Sequence, residues 1–289
     1  MSSAKEIRSK IKSIKNTQKI TRAMEMVAAS KMRKAQQAML SARPYAQHIR
    51  RVAHHLATSS PEYVHPYLQK RSVKRVVFIV VSTDRGLCGG LNGNLFRQVL
   101  QKAQTLNAAG IGVDIVSLGS KAESFFKRFG FTLRASVGRI GDVPQMADLL
   151  GAIRVALTAY QAGEVDTVYL AYNQFVNTVV QKPIIDDLVP LETEDLSVEE
   201  TPRFSWDYLY EPDPKMLLDV LLNRFVEAQI YHSVVENHAC EQAARMVAMK
   251  NASDNAGDLI GAFQLAYNKA RQAAITRELS EIVAGADAV

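Results

Sequence analysis

The stretch "AKEIRSKIKSIKNTQKITRAMEMVAASKMRKAQQAMLSA", residues 4–42, decides the architecture of this 289-residue chain. It contains no Gly and no Pro and is dense in Ala, Lys, Met, Gln and Arg, all strong helix formers. Ile7, Ile11 and Ile14 form an i, i+4, i+7 stripe. The stripe crosses the polar Thr17–Gln18 and resumes at Ile20, Met24 and Val27, then at Met32, Ala35 and Met39. So narrow a stripe is the seam of a coiled coil rather than the broad apolar face of a helix lying on a globule. Pro44 is a candidate bend, and "TSSPEYVHP" (58–66) ends the helix.

The other end of the chain answers this helix with a longer one. Pro212 and Pro214 bracket Asp213 as a helix start, and no proline follows. From Lys215 to Ala284 only Gly257 and Gly261 interrupt the pattern, with "NASDNAGD" (251–258) as a weak point or short break. Unbroken, such a helix is on the order of 100 Å long, against about 30 Å for a small domain. The chain's own middle cannot cover it, and the nearest surface that buries its seam is the N-terminal helix.

Between the helices the pattern changes. "VKRVVFIVVSTD" (73–84) reads as a buried strand and 92–109 as a helix. "GVDIVSLG" (112–119) is a strand, 120–129 a helix, "FTLRASV" (131–137) a short strand and 143–162 a helix. "DTVYLAYNQFVNTVVQKPII" (166–185) reads as two strands with a turn at Asn173–Gln174, and the acidic "ETEDLSVEE" (192–200) as a surface loop. Strands alternating with helices predict a small, mainly parallel, Rossmann-like α/β domain. The expected organisation is a coiled-coil helix over 1–58, an α/β domain over 73–195, a linker over 196–212 and a second coiled-coil helix over 213–289.

Charge is unevenly placed. Residues 1–51 hold thirteen Lys and Arg against Glu6 and Glu25, a net of +11, and the remainder sums to −5. Such asymmetry points to an acidic partner (nucleic acid, anionic membrane or an acidic protein surface) or to a solvated helix face. The basic residues share their segment with the Ile/Met seam and no RNA-binding aromatic motif accompanies them, which favours a protein partner over nucleic acid. The N-terminus lacks the apolar core of a signal peptide, and no run approaches the roughly 20 apolar residues of a membrane span. Cys88 and Cys240 form no CxxC and suit a reducing compartment.

"STDRGLCGGLNGN" (82–94) is the one stretch that invites a chemical reading. A glycine-rich loop leaving a buried strand is where α/β folds hold phosphate. Here Gly86, Gly89, Gly90 and Gly93 match neither the P-loop, which needs a Lys followed by Ser or Thr, nor GxGxxG. The competing reading is a tight strand-to-helix turn, with Asn92 or Asn94 as the helix cap and Cys88 as a small buried residue. The six histidines show no metal-ligand spacing, and no catalytic residue, metal site or cofactor is expected.

"IKNTQKITRAMEMVAASKMRKA" (14–35) and "AITRELSEIVAGA" (274–286) resemble the two terminal signatures of the ATP synthase gamma family, the second through Ile275, Thr276, Glu278, Glu281, Gly285 and Ala286. "STDRGLCGGLN" (82–92) and "SWDYLYEPDP" (205–214) are similar to internal segments of its bacterial members. The resemblance implies a non-catalytic rotor shaft, one copy per proton-driven complex. Its terminal helices would wind inside a hexamer of three alpha and three beta subunits, and its α/β domain would sit against the epsilon subunit and the membrane c-ring. Delta, a and b subunits would be indirect partners, and nucleic acid none.

It also implies that Lys19, Arg22 and Met24 face an acidic region of the beta subunit. Arg271, Gln272, Thr276 and Glu278 would make further contacts with beta, and Tyr208, Tyr210 and Glu211 would meet epsilon and the c-ring. A cysteine-bearing regulatory insert like that of chloroplast relatives is absent, as is a transit peptide. The expected place is the cytoplasmic face of a bacterial inner membrane. The alternatives are a basic coiled-coil nucleic-acid binder and a nucleotide-binding α/β enzyme.

Overall fold

The computed structural model describes residues 4–59, 65–191 and 214–286. The expected linker and the residues Tyr208, Tyr210 and Glu211 lie outside the described residues. The element order is α1 (Ala4–Ser59), a 3-10 turn (Pro66–Leu68), β1 (Arg75–Val81), α2 (Leu91–Ala108), β2 (Gly112–Leu118), α3 (Ser120–Arg128), β3 (Thr132–Val137), α4 (Met146–Gln161), β4 (Thr167–Phe175), β5 (Gln181–Val189) and α5 (Pro214–Ala286). The long helix α5 has 73 residues and runs unbroken through 251–258. The chain divides into two compact units, Met1–Ala29 with Arg245–Val289, and Ser30–Ala244. That division cuts both long helices.

In the larger unit the sheet order is β3-β2-β1-β4-β5, with β5 alone antiparallel. All but the first residue of β1 is buried, because both faces of this central strand are covered. One face packs Phe78 and Val80 against Leu95, Val99 and Phe126 of α2 and α3. The other packs Val77, Ile79 and Val81 with Ile153 and Tyr160 of α4 and with Leu222, Phe225, Val226 and Ile230 of α5. The long C-terminal helix is therefore part of the α/β core.

The hairpin turn is not at Asn173–Gln174. Both residues belong to β4, and the turn spans 176–180, where Asn177 Oδ1 accepts from the N–H groups of Val179 (2.9 Å) and Val180 (2.8 Å). Polar residues persist inside β4 because α5 satisfies them. β1 pairs with β4 only as far as Ala171, so the later β4 groups on that side need other partners. Asn237 Oδ1 accepts from Asn173 N (3.3 Å) and Nδ2 (2.8 Å), Glu236 Oε1 accepts from Phe175 N (3.0 Å), and the Cys240 thiol donates to Asn173 O (3.2 Å). Residues 233–240 of α5 are consequently buried on every side.

The smaller unit pairs the start of α1 with the latter part of α5. Gln18 Nε2 donates to Ser253 O (3.1 Å), the Thr21 and Ser253 hydroxyls share a 2.6 Å hydrogen bond, and Gly257 lies beside Gln18. Rising numbers on one helix meet falling numbers on the other, so the pair is antiparallel. The seam differs from the expected one. Its covered positions are Ile7, Ile11, Ile14, Gln18, Thr21, Glu25 and Ala28, an unbroken alternation of four and three. Ile20 and Val27 instead face outward, 60% and 55% exposed. On α5 the matching set is Met249, Ser253, Ala256, Ile260, Phe263, Tyr267 and Ala270. Met24 is half-buried at the edge of the seam.

Candidate coupling site

The residues expected to meet the beta subunit fall on two separate surfaces of the smaller unit. Lys19 and Arg22, three apart, are exposed on α1, with Met24 partly covered beside them. Arg271, Gln272, Thr276 and Glu278 are exposed on α5, where Thr276 Oγ1 donates to Gln272 O (3.0 Å). Among the described residues no ion-pair partner lies within 4 Å of Lys19, Arg22, Arg271 or Glu278. The pairing of Gln18 with Gly257 puts the second group fourteen residues further along α5, roughly 20 Å away at helical rise. The structure does not bring the two groups together.

From Arg271 to Val283 every residue of α5 is exposed. Four large apolar side chains stand in this segment, Ile275, Leu279, Ile282 and Val283, between 48% and 68% exposed. The antiparallel register explains it: α1 begins at Ala4, so the end of α5 extends past its partner.

The glycine-rich loop in the larger unit has a different role. Asn92 is not a cap: its Nδ2 donates to Thr83 Oγ1 (2.7 Å) and its Oδ1 accepts from Thr83 N (3.3 Å). Nor does Asn94 cap the helix, since Gly90 is the N-cap of α2 and no side chain bonds there. Cys88 and Leu91 pack with Cys240 of α5, with Phe175 and Ala244 at the edge. Burial pushes the Cys240 thiol well above its ordinary range, which leaves it a poor nucleophile.

Asp84, in the same loop, reaches the start of α3 and the loop after β3. Its Oδ1 accepts from Ser120 N (3.0 Å), Ser120 Oγ (2.9 Å) and Arg139 N (2.9 Å), and its Oδ2 from Ile140 N (2.8 Å). Burial alone would raise this carboxyl, but the donors from Ser120, Arg139 and Ile140 outweigh it and hold it below the usual carboxylate range. The N-terminus of α3 is thus filled by the chain's own carboxylate.

Sequence reasoning missed the anchoring role of Asp84 and the seam positions of Gln18, Thr21 and Ser253, and it did not reach Asn237 or Glu236. A strict four-three count from Ile7 would have found Gln18 and Thr21. Nothing in the sequence points to the pairing of Asn173 with Asn237, sixty-four residues away.

A profile of the ATP synthase family matches residues 3–289. The ATP synthase gamma chain of Nitrosococcus oceani is 58% identical over 289 residues, covering the whole of both chains. The chain belongs to the ATP synthase gamma family. Among solved structures it is similar to the central stalk/c-ring part of the Tetrahymena thermophila mitochondrial ATP synthase, at TM-score 0.61 and 26% identity, over 81% of this chain and 99% of that one. It shares its fold with a chain of the Euglena gracilis mitochondrial ATP synthase OSCP/F1/c-ring structure, at TM-score 0.69 and 22% identity, over 99% of this chain and 94% of that one. No helix of the described residues is long and apolar enough to cross a membrane.

Proposed function

We propose that this gamma-family chain is the central rotor shaft of a proton-driven ATP synthase, with no chemistry of its own. One observation carries the reading: the end of α5 exposes Ile275, Leu279, Ile282 and Val283 on a helix that has outrun its partner. Contiguous apolar surface of this kind marks a protein interface. A surrounding sleeve of alpha and beta subunits would cover it.

Rotation acts by differential contact. An asymmetric rod touches three identical catalytic subunits differently, and each contact favours one conformation over another. Driving a subunit from 1:99 to 99:1 takes about 5.5 kcal/mol of differential binding. Covering four half-exposed aliphatic side chains supplies on the order of 1 kcal/mol each. The apolar end thus sets a ceiling of about 4 kcal/mol on its own share, reached only if one conformation covers it and the other leaves it bare, with polar contacts supplying the rest. Lys19 and Arg22, beside Met24, would meet an acidic surface of beta, and Arg271, Gln272, Thr276 and Glu278 a second site on beta. Tyr208, Tyr210 and Glu211 would meet epsilon and the c-ring. The complex would lie on the cytoplasmic face of a bacterial inner membrane, held there through the c-ring.

The test is reconstitution. The purified chain should hydrolyse no ATP, and adding it to alpha and beta subunits should activate their hydrolysis. Turnover by the chain alone would refute the reading, as would a mixture that ignores it. Reversing both charges, Lys19→Glu with Arg22→Glu, should impair ATP-driven proton pumping more than assembly.

A further inference from the structure

We propose that Asp84 is the positioning residue of a clamp that fixes the α/β domain to both long helices, and that torque crosses the larger unit through this clamp. The inference rests on the rotor reading above.

Asp84 holds the loop between β3 and α4 by the backbone N–H groups of Arg139 and Ile140, and α3 by Ser120. The held loop grips both helices within its next few residues. Asp142 accepts from Lys31 Nζ of α1 at 2.7 and 2.8 Å, and Pro144 O accepts from Tyr231 Oη of α5 at 3.2 Å. Ile140, whose N–H Asp84 fixes, packs with Tyr231 against the core cluster that holds Leu222, Phe225, Val226, Ile230 and Val234 of α5. On the other side of Asp84, its own loop places Cys88 and Leu91 against Cys240. One carboxylate therefore sits between two loops that both seat on α5, and one of them reaches α1 as well.

Two further facts favour a clamp over an ordinary loop tie. Arg139 is held at φ 61°, a conformation that side-chain-bearing residues rarely adopt, and the bond from its N–H to Asp84 secures that turn. The Lys31–Asp142 pair is partly exposed, at 35% and 64%. A pair so exposed is weak when its partners are free, and it gains from having one of them fixed beforehand. Asp84 fixes it, by setting the backbone two residues upstream of Asp142.

The test uses the assembled complex in inverted membrane vesicles, with ATP hydrolysis and ATP-driven proton pumping measured together. In Asp84→Ala, pumping per ATP hydrolysed should fall about fivefold, the scale expected when a shared hydrogen-bond network is broken. Asp84→Asn keeps one carbonyl acceptor and should recover part of that loss. Lys31→Asp should lower the ratio, and the swap Lys31→Asp with Asp142→Lys should restore it, which assigns the loss to this pair. Should Asp84→Ala fail to assemble, Asp142→Asn with Tyr231→Phe leaves Asp84 in place and should show the same loss. Normal pumping per ATP in assembled Asp84→Ala, or in that double variant, overturns the clamp. Failure of the unaltered chain to activate alpha and beta would instead overturn the rotor reading.

Discussion

The two units bury α5 by opposite means. In the larger unit, residues 233–240 are enclosed on all sides, and the polar ones answer specific groups: Asn237 to Asn173, Glu236 to Phe175, Ser233 Oγ to Ile230 O at 2.8 Å. In the smaller unit the same helix covers one narrow seam, and past Ala270 none. Enclosure fixes a helix in one position. A one-sided seam with polar and small residues at Gln18, Thr21, Ser253 and Ala256 specifies register at some expense of stability. For a shaft, the first is suited to receiving torque and the second to presenting surface to partners.

The largest effects should come from the enclosed unit. Gly119 has φ 108°, and an added Cβ would lie 2.3 Å from the carbonyl oxygen of Ser82. Gly119→Ala should destabilise the full chain by about 3 kcal/mol or more in denaturant titration, through backbone strain and a clash that no side-chain movement relieves. Gly89→Ala is the control: its φ is 59°, nothing lies within 4 Å, and about 1 kcal/mol is expected. Equal losses would mean that close packing at Gly119 is not what matters.

Asn237→Ala comes next. It strips the acceptor from two buried donors of Asn173 and should cost about 1–3 kcal/mol. In the seam, Thr21→Val with Ser253→Ala removes both members of a hydroxyl pair, and should be nearly neutral because no partner is left stranded. A seam loss as large as that of Asn237→Ala would erase the contrast between the units.

A pH dependence should arise in the enclosed unit. His65 is buried, its Nδ1 accepts from Tyr67 N (3.0 Å), and its Nε2 lies 3.3 Å from Asp219 Oδ1. Burial lowers its pKa, against the opposing pull of Asp219. The unfolded chain therefore takes up this proton first as pH falls below about 6.5, so stability is full above that value and declines through the depressed native one. His65→Asn keeps a capping acceptor for Tyr67 N and should flatten the decline below about pH 6.5 in thermal melts. Asp84 acts at lower pH: its contribution is full above the ordinary carboxylate value of 3.8 and is lost as pH drops through the lower native one. An unaltered slope in His65→Asn would assign the dependence elsewhere.

The elements were legible to the extent that periodicity and chain punctuation determine them. Five strands and both long helices follow from β-branched runs, from proline placement and from glycine-free stretches. The seam was half legible. Ile7, Ile11 and Ile14 start it correctly, but following the next large apolar residues leads to Ile20 and Val27, whereas a constant four-three spacing leads through Gln18 and Thr21. Hydrophobicity is a poor guide where a coil carries large apolar side chains on its outer face, as Ile20 and Val27 do here. Asp84 was hidden for another reason: its partners come from α3 and the loop after β3, and only the folded sheet brings them to one point. The same holds for Asn173, where a polar pair inside β4 resembled a turn until α5 supplied its partner.

The smallest expected effect tests that account of the seam. Ile20→Ser and Val27→Ser change large apolar residues that a hydrophobic reading places in the coil. Their exposure of 60% and 55% predicts losses within about 0.5 kcal/mol in the full chain. Ala28, one residue on from Val27, is 1% exposed, and Ala28→Leu should cost about 1–3 kcal/mol by overpacking although it adds hydrophobicity. A loss above about 1.5 kcal/mol for either serine variant would move the seam back to Ile20 and Val27. If the serine variants are stable alone yet weaken activation of alpha and beta, these side chains belong to a surface that partners cover. The coil would then have two apolar faces, one for its own helix pair and one for the sleeve around it.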